Sequence, residues 1–299
     1  MFKPMGPGDY ARLKPYFKGQ GYQLCPYSLA SMIIWAGCIH DALYLEEKDR
    51  AWFAEHEQGA GGRRRLLLPV CRPFRMPAPA ELADGAARLG YREFRYVPRD
   101  WLDAVGSSEA EKYFVVKEEE GFHDYIYERS ALASLDGRKY AKKRNLVSQF
   151  EKAYGASAAV GELKGACLKN CLDLFDCWEK SRGEAMDIKK CERKAIANAL
   201  ANFRELEMSG VAVEISGRLA GFAFGSRLSE DTWTLNFEKA DISFKGLYQF
   251  LDREAARAVP SSYSFIDKEN DLGLAGLKKA KESYFPVKML RSYTLELKK

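Results

Sequence analysis

The sequence predicts an α/β (α+β) chain built as two tandem domains, each a mixed central sheet flanked by helices. Three observations carry this reading. The second half reads as β-α-α-β-β-β-α-β-α-β, the first half repeats a similar order in weaker signals, and 299 residues is the length of two ordinary domains. The expected division is 1–152 and 153–299.

The elements of the second half follow from periodicity. "ASAAV" (156–160) is a short strand candidate. Over 166–181, Cys167, Cys171, Leu174, Phe175 and Trp178 form one helical stripe, and a second helix is expected over 186–207. "VAVEIS" and "LAGFAFGSRL" flank a Ser216-Gly217 hairpin turn, and "DTWTLNFEKA" (231–240) follows. A helix over 246–258, a strand "YSFID" (263–267), a helix over 272–283 and a final strand "MLRSYTLEL" (289–297) complete the half.

In the first half, a strand at 1–5 and helices at 9–18 and 26–36 precede strands "ALYLEE", "AWFAEH" and "RRLLLPVC" (64–71). A helix over 79–90, a strand "REFRYV", a short helix over 99–105 and strands "KYFVV" and "DYIYE" follow. "GAGGRRR" (59–65) and "GSSEAE" (106–111) read as loops. This element order is that of the GCN5-related N-acetyltransferase fold, so both domains are expected to be acyltransferase-like.

Composition narrows the classes. A 46% hydrophobic share with 30% charged residues describes a globular chain. The apolar run "LASMIIWAGCI" (29–39) is about half the roughly 20 residues of a membrane span and reads as a buried helix. With no leader pattern, a cytoplasmic location is expected. Seven cysteines without a secretion signal read as reduced thiols. The spacing Cys167-x3-Cys171-x5-Cys177-x13-Cys191 fits no zinc pattern, so no metal site is expected. No Walker loop, no G-x-S-x-G elbow and no G-x-G-x-x-G is present.

The formal charge is +5, and residues 136–144 alone carry five cations and one acid. The excess is local steering. Phased as an α-helix from Gly137 to Tyr154, Lys139 and Lys143 fall inside the apolar stripe, a costly place for a charge unless it is paired or faces a cleft. For Lys139 and Lys143 the competing reading is snorkelling of the long stems to water; Arg138, Lys142 and Asn145 fall on the polar face with Arg144 at its border, suited to phosphate capture. Lys143 is therefore expected to be more buried than Lys142.

In "DKENDLGLAGLKKAKESYFP" (267–286), Lys281 interrupts an apolar stripe of Leu274, Leu277, Ala280, Tyr284 and Phe285, and Lys279 points away. Asp267, Lys268, Glu269, Asn270 and Asp271 cluster where a strand should end, the edge of a ligand crevice in open α/β sheets, although Asp271 also suits an ordinary helix N-cap. Lys278 joins the candidate ligand-binding cations. In "NFEKADISFKG" (236–246), Glu238 and Lys239 end a strand and Gly246 opens a helix. A coenzyme A pyrophosphate loop belongs at that helix start, where backbone N–H groups cradle the anion. A single glycine stands there.

The segments "DYIYERSALASLDGRKYAKKRNLVSQF" (124–150), "LNFEKADISFKGLYQ" (235–249) and 267–286 together resemble a bacterial family of unknown function in the phosphatidylglycerol lysyltransferase C-terminal domain superfamily. The resemblance implies two GCN5-related acetyltransferase folds in tandem. Lysyltransferases of this kind move an aminoacyl group from aminoacyl-tRNA to a lipid headgroup. Where the family has Asn-Arg, this chain has Asp267-Lys268, a point charge in place of a bidentate guanidinium.

Three functions are therefore expected to compete. The first is aminoacyl transfer from aminoacyl-tRNA to an amine or hydroxyl on a small molecule, peptide or lipid headgroup. Lys281, Lys239 or Lys143 would steady the oxyanion, and Glu238 or Asp271 would take the acceptor's proton. The second is acyl-CoA-dependent N-acyl transfer, with coenzyme A held by the basic helix. The third is a non-catalytic domain pair that binds tRNA, a nucleotide or another partner.

Overall fold

A computed structural model of the chain describes residues 1–299 apart from 39, 60 and 181–186. The end of the apolar run 29–39, one residue of the loop at 59–65 and the first residue of the helix expected at 186–207 thus lie outside the described residues. The first half contains β1 (Lys3–Pro4), α1 (Tyr10–Phe17), α2 (Leu29–Ile34), β2 (His40–Glu46), β3 (Arg50–Glu57), β4 (Arg64–Leu66), β5 (Val70–Cys71) and α3 (Pro79–Leu89). There follow β6 (Glu93–Pro98), α4 (Arg99–Val105), α5 (Ser107–Tyr113), β7 (Phe114–Glu118), β8 (Asp124–Glu128), α6 (Arg129–Ser134) and α7 (Ala141–Tyr154). The second half contains β9 (Ala158–Glu162), α8 (Ala166–Lys180), α9 (Asp187–Ala201), β10 (Ser209–Ile215), β11 (Arg218–Arg227) and β12 (Thr232–Ala240). It ends with α10 (Leu247–Ala258), β13 (Phe265–Asp267), α11 (Ala275–Glu282), β14 (Lys288–Leu290) and β15 (Ser292–Leu297).

The elements form two mixed sheets flanked by helices. One runs β1-β2-β3-β4-β6-β15-β7, with β5 added on β3, and the other runs β14-β8-β13-β12-β11-β10-β9. From β9 to β14 the element order is the one expected. The sheets do not divide at residue 152, however. Strand β8 of the first half pairs with β13 and β14, and the C-terminal β15 inserts between β6 and β7. The single strand expected at 289–297 is two strands in different sheets, parted at Arg291. The expected loop 106–111 is largely helix α5, entered from Gly106.

Two cores result. Helices α6, α7 and α10 cover one face of the second sheet, packing Val147, Phe150, Leu247 and Leu251 against Val213, Trp233 and Leu235. The opposite face shares a core with the first half, in which Phe222, Phe224 and Phe237 join residues of α2, α8 and α9. Helix α2 is buried at every position, as a helix wedged between two sheets must be. Among the described residues, no helix is long and apolar enough to cross a membrane.

Candidate functional site

Two backbone features interrupt the regular pairing of the second sheet. Strands β12 and β13 run parallel and pair only from Thr232↔Phe265 to Thr234↔Asp267. Residues 235–240 of β12 continue without β13, so the strands part there. The β11–β12 pairing also slips by one residue between Phe224 and Ser226, a bulge that re-aims side chains. Trp233 and Leu235 face α10 before the slip, and Ala240 does so after it. Glu238 is thereby turned to the α10 side and Lys239 to the α8–α9 side.

On the α10 side, Lys268 leaves the end of β13 and places Nζ 2.8 Å from Asp252 Oδ1 and 3.1 Å from Glu238 Oε2. Only 13% of the Lys268 side chain, 15% of Glu238 and 4% of Asp252 is exposed, so these charges meet with little solvent screening. Burial, reinforced by Asp252 and opposed by Lys268, pushes the Glu238 carboxyl up to about 7. Burial works against the Lys268 ammonium, but Asp252 and Glu238 outweigh it and hold its pKa above the usual lysine value. The Tyr284 ring lies 5.0 Å from Lys268 Nζ and 3.8 Å from Lys143 Nζ, which also donates to Ser283 Oγ at 2.7 Å. Burial lowers the Lys143 pKa, with Asp252 and Glu238 pulling the other way. Lys143 is half-buried and Lys142 exposed, as the helical phasing expects.

On the opposite face, a polar seam joins the two halves. Asn236 Nδ2 donates to Ser31 Oγ at 2.8 Å and to Glu269 Oε1 at 3.1 Å, while its Oδ1 accepts from Ser226 Oγ at 2.8 Å. Burial pushes Glu269 up to about 8 against the pull of Lys281. The Lys281 ammonium donates to the carbonyl oxygens of Lys268 and Glu269, tying α11 to the strand end. Burial lowers its pKa, and Glu269 opposes the shift.

Several sequence candidates land elsewhere. Lys239 pairs with Glu192 at 2.7 Å beneath the Trp178 ring, across the sheet from Glu238, so the two do not act on one substrate atom. Asp271 accepts from Tyr125 Oη at 2.6 Å and Gly273 N–H at 2.8 Å, which makes it a buried turn anchor instead of a base. Lys139 is exposed, because residues 138–140 form a 3₁₀ turn that breaks the assumed α-helical phase; its ammonium rests near the Tyr140 and Phe285 rings. Arg138, Lys142, Arg144, Asn145 and Lys278 are exposed. The Arg144 guanidinium is committed to the Leu135 and Gly137 carbonyl oxygens, the latter at 2.7 Å. Gly246 packs against the backbone of α7. Asn270 Nδ2 sits 4.0 Å from Cys25 Sγ. The apolar stripe expected to be core is largely surface: Leu274 and Leu277 are exposed, with Lys281 turned inward.

Sequence reasoning missed Asp252. Its signal was available, since Asp252 interrupts the α10 stripe of Phe250, Leu251, Ala255 and Ala256.

The parted parallel strands, the bulge and the two mixed sheets flanked by helices define an α/β fold of the class expected. Residues 24–296 match the family described as phosphatidylglycerol lysyltransferase, C-terminal, and the chain belongs to that transferase family. A conserved protein of unknown function from Bacteroides thetaiotaomicron is similar over 99% of both chains, with 28% identity and a TM-score of 0.87. L-PGS from Bacillus licheniformis is similar over 98% of this chain and 93% of its own, at 13% identity and a TM-score of 0.62. The C-terminal domain of a putative lysylphosphatidylglycerol synthetase from Agrobacterium fabrum is similar over 97% and 91%, at 14% identity and a TM-score of 0.59. At the latter two identities the likeness is one of fold. An uncharacterized protein of Mycoplasmoides gallisepticum is 24% identical over 194 residues, 62% of this chain; the match spans 60% of that relative's length.

Proposed function

We propose that this protein transfers an aminoacyl group from aminoacyl-tRNA to an amine or hydroxyl acceptor in the cytoplasm. The observation that carries the reading is Glu238, a carboxyl pushed up to about 7 at the mouth of two parting strands. A general base works best with a pKa near the working pH. The acceptor nitrogen or oxygen forms a bond to the ester carbonyl carbon, and its proton passes to Glu238. The ester C–O bond then breaks, and the proton returns to the departing ribose oxygen. Lys268 orients Glu238 through Oε2, and Lys143 supplies positive charge to the developing oxyanion. The exposed Arg138, Lys139 and Lys142 offer phosphate contacts on the same helical segment.

Labelled aminoacyl-tRNA and labelled acetyl-CoA, each offered with a pool of amine and hydroxyl acceptors, separate the donors. The expected result is label leaving tRNA, at a rate that rises through about pH 7 as Glu238 loses its proton. Glu238→Gln is expected to lower that rate by about 10²–10⁴-fold and flatten the pH profile. Label leaving acetyl-CoA alone selects the acyl-CoA reading. A rate that survives Glu238→Gln removes Glu238 as the base, and no transfer from either donor leaves the non-catalytic reading.

A further inference from the structure

Across the sheet from Glu238, the seam between the halves holds a thiol among acids. Cys25 lies in a short turn before α2, Asp124 opens β8 and Asp267 closes β13. All three are buried, and one donor atom from each lies within 4.8 Å of the others. Asp124 Oδ2 accepts from the Cys25 N–H at 2.6 Å, and Cys25 Sγ stands 3.4 Å from Asp124 Oδ1. Asp267 Oδ1 accepts from the Glu269 N–H at 2.6 Å, while its Oδ2 is enclosed without a hydrogen-bond partner and the residue is 0% exposed. An orphaned carboxylate oxygen away from water is costly.

We propose that Cys25, Asp124 and Asp267 hold a divalent metal ion of the zinc class. A thiolate at about 2.3 Å and a carboxylate oxygen at about 2.1 Å span a tetrahedral edge of about 3.6 Å, close to the 3.4 Å between Cys25 Sγ and Asp124 Oδ1. Asp267 Oδ2 gains the partner it lacks, and the Cys25 proton is released to solvent on coordination. The Asn270 amide, 4.0 Å from Sγ, supplies a fourth donor when its oxygen faces inward in place of its nitrogen. The ligands come from both halves of the chain, so the ion fastens the seam that separates α2 from β8 and β13. The competing arrangement is a proton shared between Asp124 and Asp267, with Cys25 left as a neutral thiol.

The test uses the full chain, stripped with a chelator and titrated with Co²⁺ and then Zn²⁺. The expected result is one equivalent of bound Co²⁺ with a near-ultraviolet thiolate-to-cobalt band, and Zn²⁺ raising Tm by at least about 3 °C. Cys25→Ala abolishes the band, and Asp267→Asn weakens Co²⁺ binding by about tenfold or more. Absence of both band and Zn²⁺ shift in the wild-type chain overturns the proposal. A band that survives Cys25→Ala overturns it too, by placing the ion on other cysteines. An Asp267→Asn chain that melts at or above the wild-type temperature without regard to zinc does the same, since an amide then replaces a shared proton.

Discussion

Lys268→Met is expected to destabilise the fold by about 3–5 kcal/mol, the range for removing one partner of a buried ion pair. Against a total stability of about 5–15 kcal/mol that is a large share. The loss comes less from the bonds of 2.8 and 3.1 Å than from what remains. Glu238 and Asp252 stay buried beside one another, and each raises the free energy of the other's charge. The sign of the pH dependence follows. Without the ammonium, burial and the neighbouring Asp252 hold the Glu238 carboxyl further above the value of about 4 it has in the unfolded chain. As pH rises from 5 to 8, the unfolded chain has already shed that proton, so the stability deficit grows across that window. Urea unfolding of the two proteins at pH 5 and pH 8 measures it. Combining Lys268→Met with Glu238→Gln and Asp252→Asn should restore part of the loss, because no uncompensated charge is left. A Lys268→Met chain that unfolds at the wild-type urea concentration at pH 8 would show that the ammonium does not stabilise the two carboxyls.

The same pair of residues shows which parts of the site the sequence could disclose. Helical and strand periodicity is local, and it found the elements from β9 to β14 in order. It also separated Lys143 from Lys142, because both lie within the regular turns of α7. It failed at Lys139, where a 3₁₀ turn replaces the α-helical one. The face of Glu238 depends on a one-residue slip between β11 and β12, which leaves no mark in an alternating strand pattern. The break at Arg291 is equally silent: "MLRSYTLEL" alternates as one strand should, and only the choice of neighbouring strands divides it. Cys25, Asp124 and Asp267 come from segments about a hundred residues and more apart, so no spacing could have joined them. Asp252 is the instructive miss, because a carboxylate inside an apolar helical stripe is the same signal that singled out Lys143 and Lys281.

Gly246→Ala should lower stability by roughly 3 kcal/mol, read as a fall in Tm of roughly 6–9 °C. Gly246 has φ +87, a left-handed conformation that carries about 1–2 kcal/mol of strain for a residue with a Cβ. That Cβ would also meet the Leu146 carbonyl oxygen at 2.2 Å and Phe150 Cβ at 3.1 Å. The obstruction is the backbone of α7, which cannot swing aside as a side chain can, so α7 and α10 must separate. Overpacking of this kind adds about 1–3 kcal/mol. A glycine kept for a phosphate loop predicts a different pattern, with Tm nearly unchanged and affinity for coenzyme A or polyphosphate lost. Measuring Tm and anion affinity on the one variant therefore decides why a single glycine stands at the start of α10. The expected pattern, a large fall in Tm, assigns it to the contact between two helices and weakens further a coenzyme A reading for which a single glycine already speaks poorly.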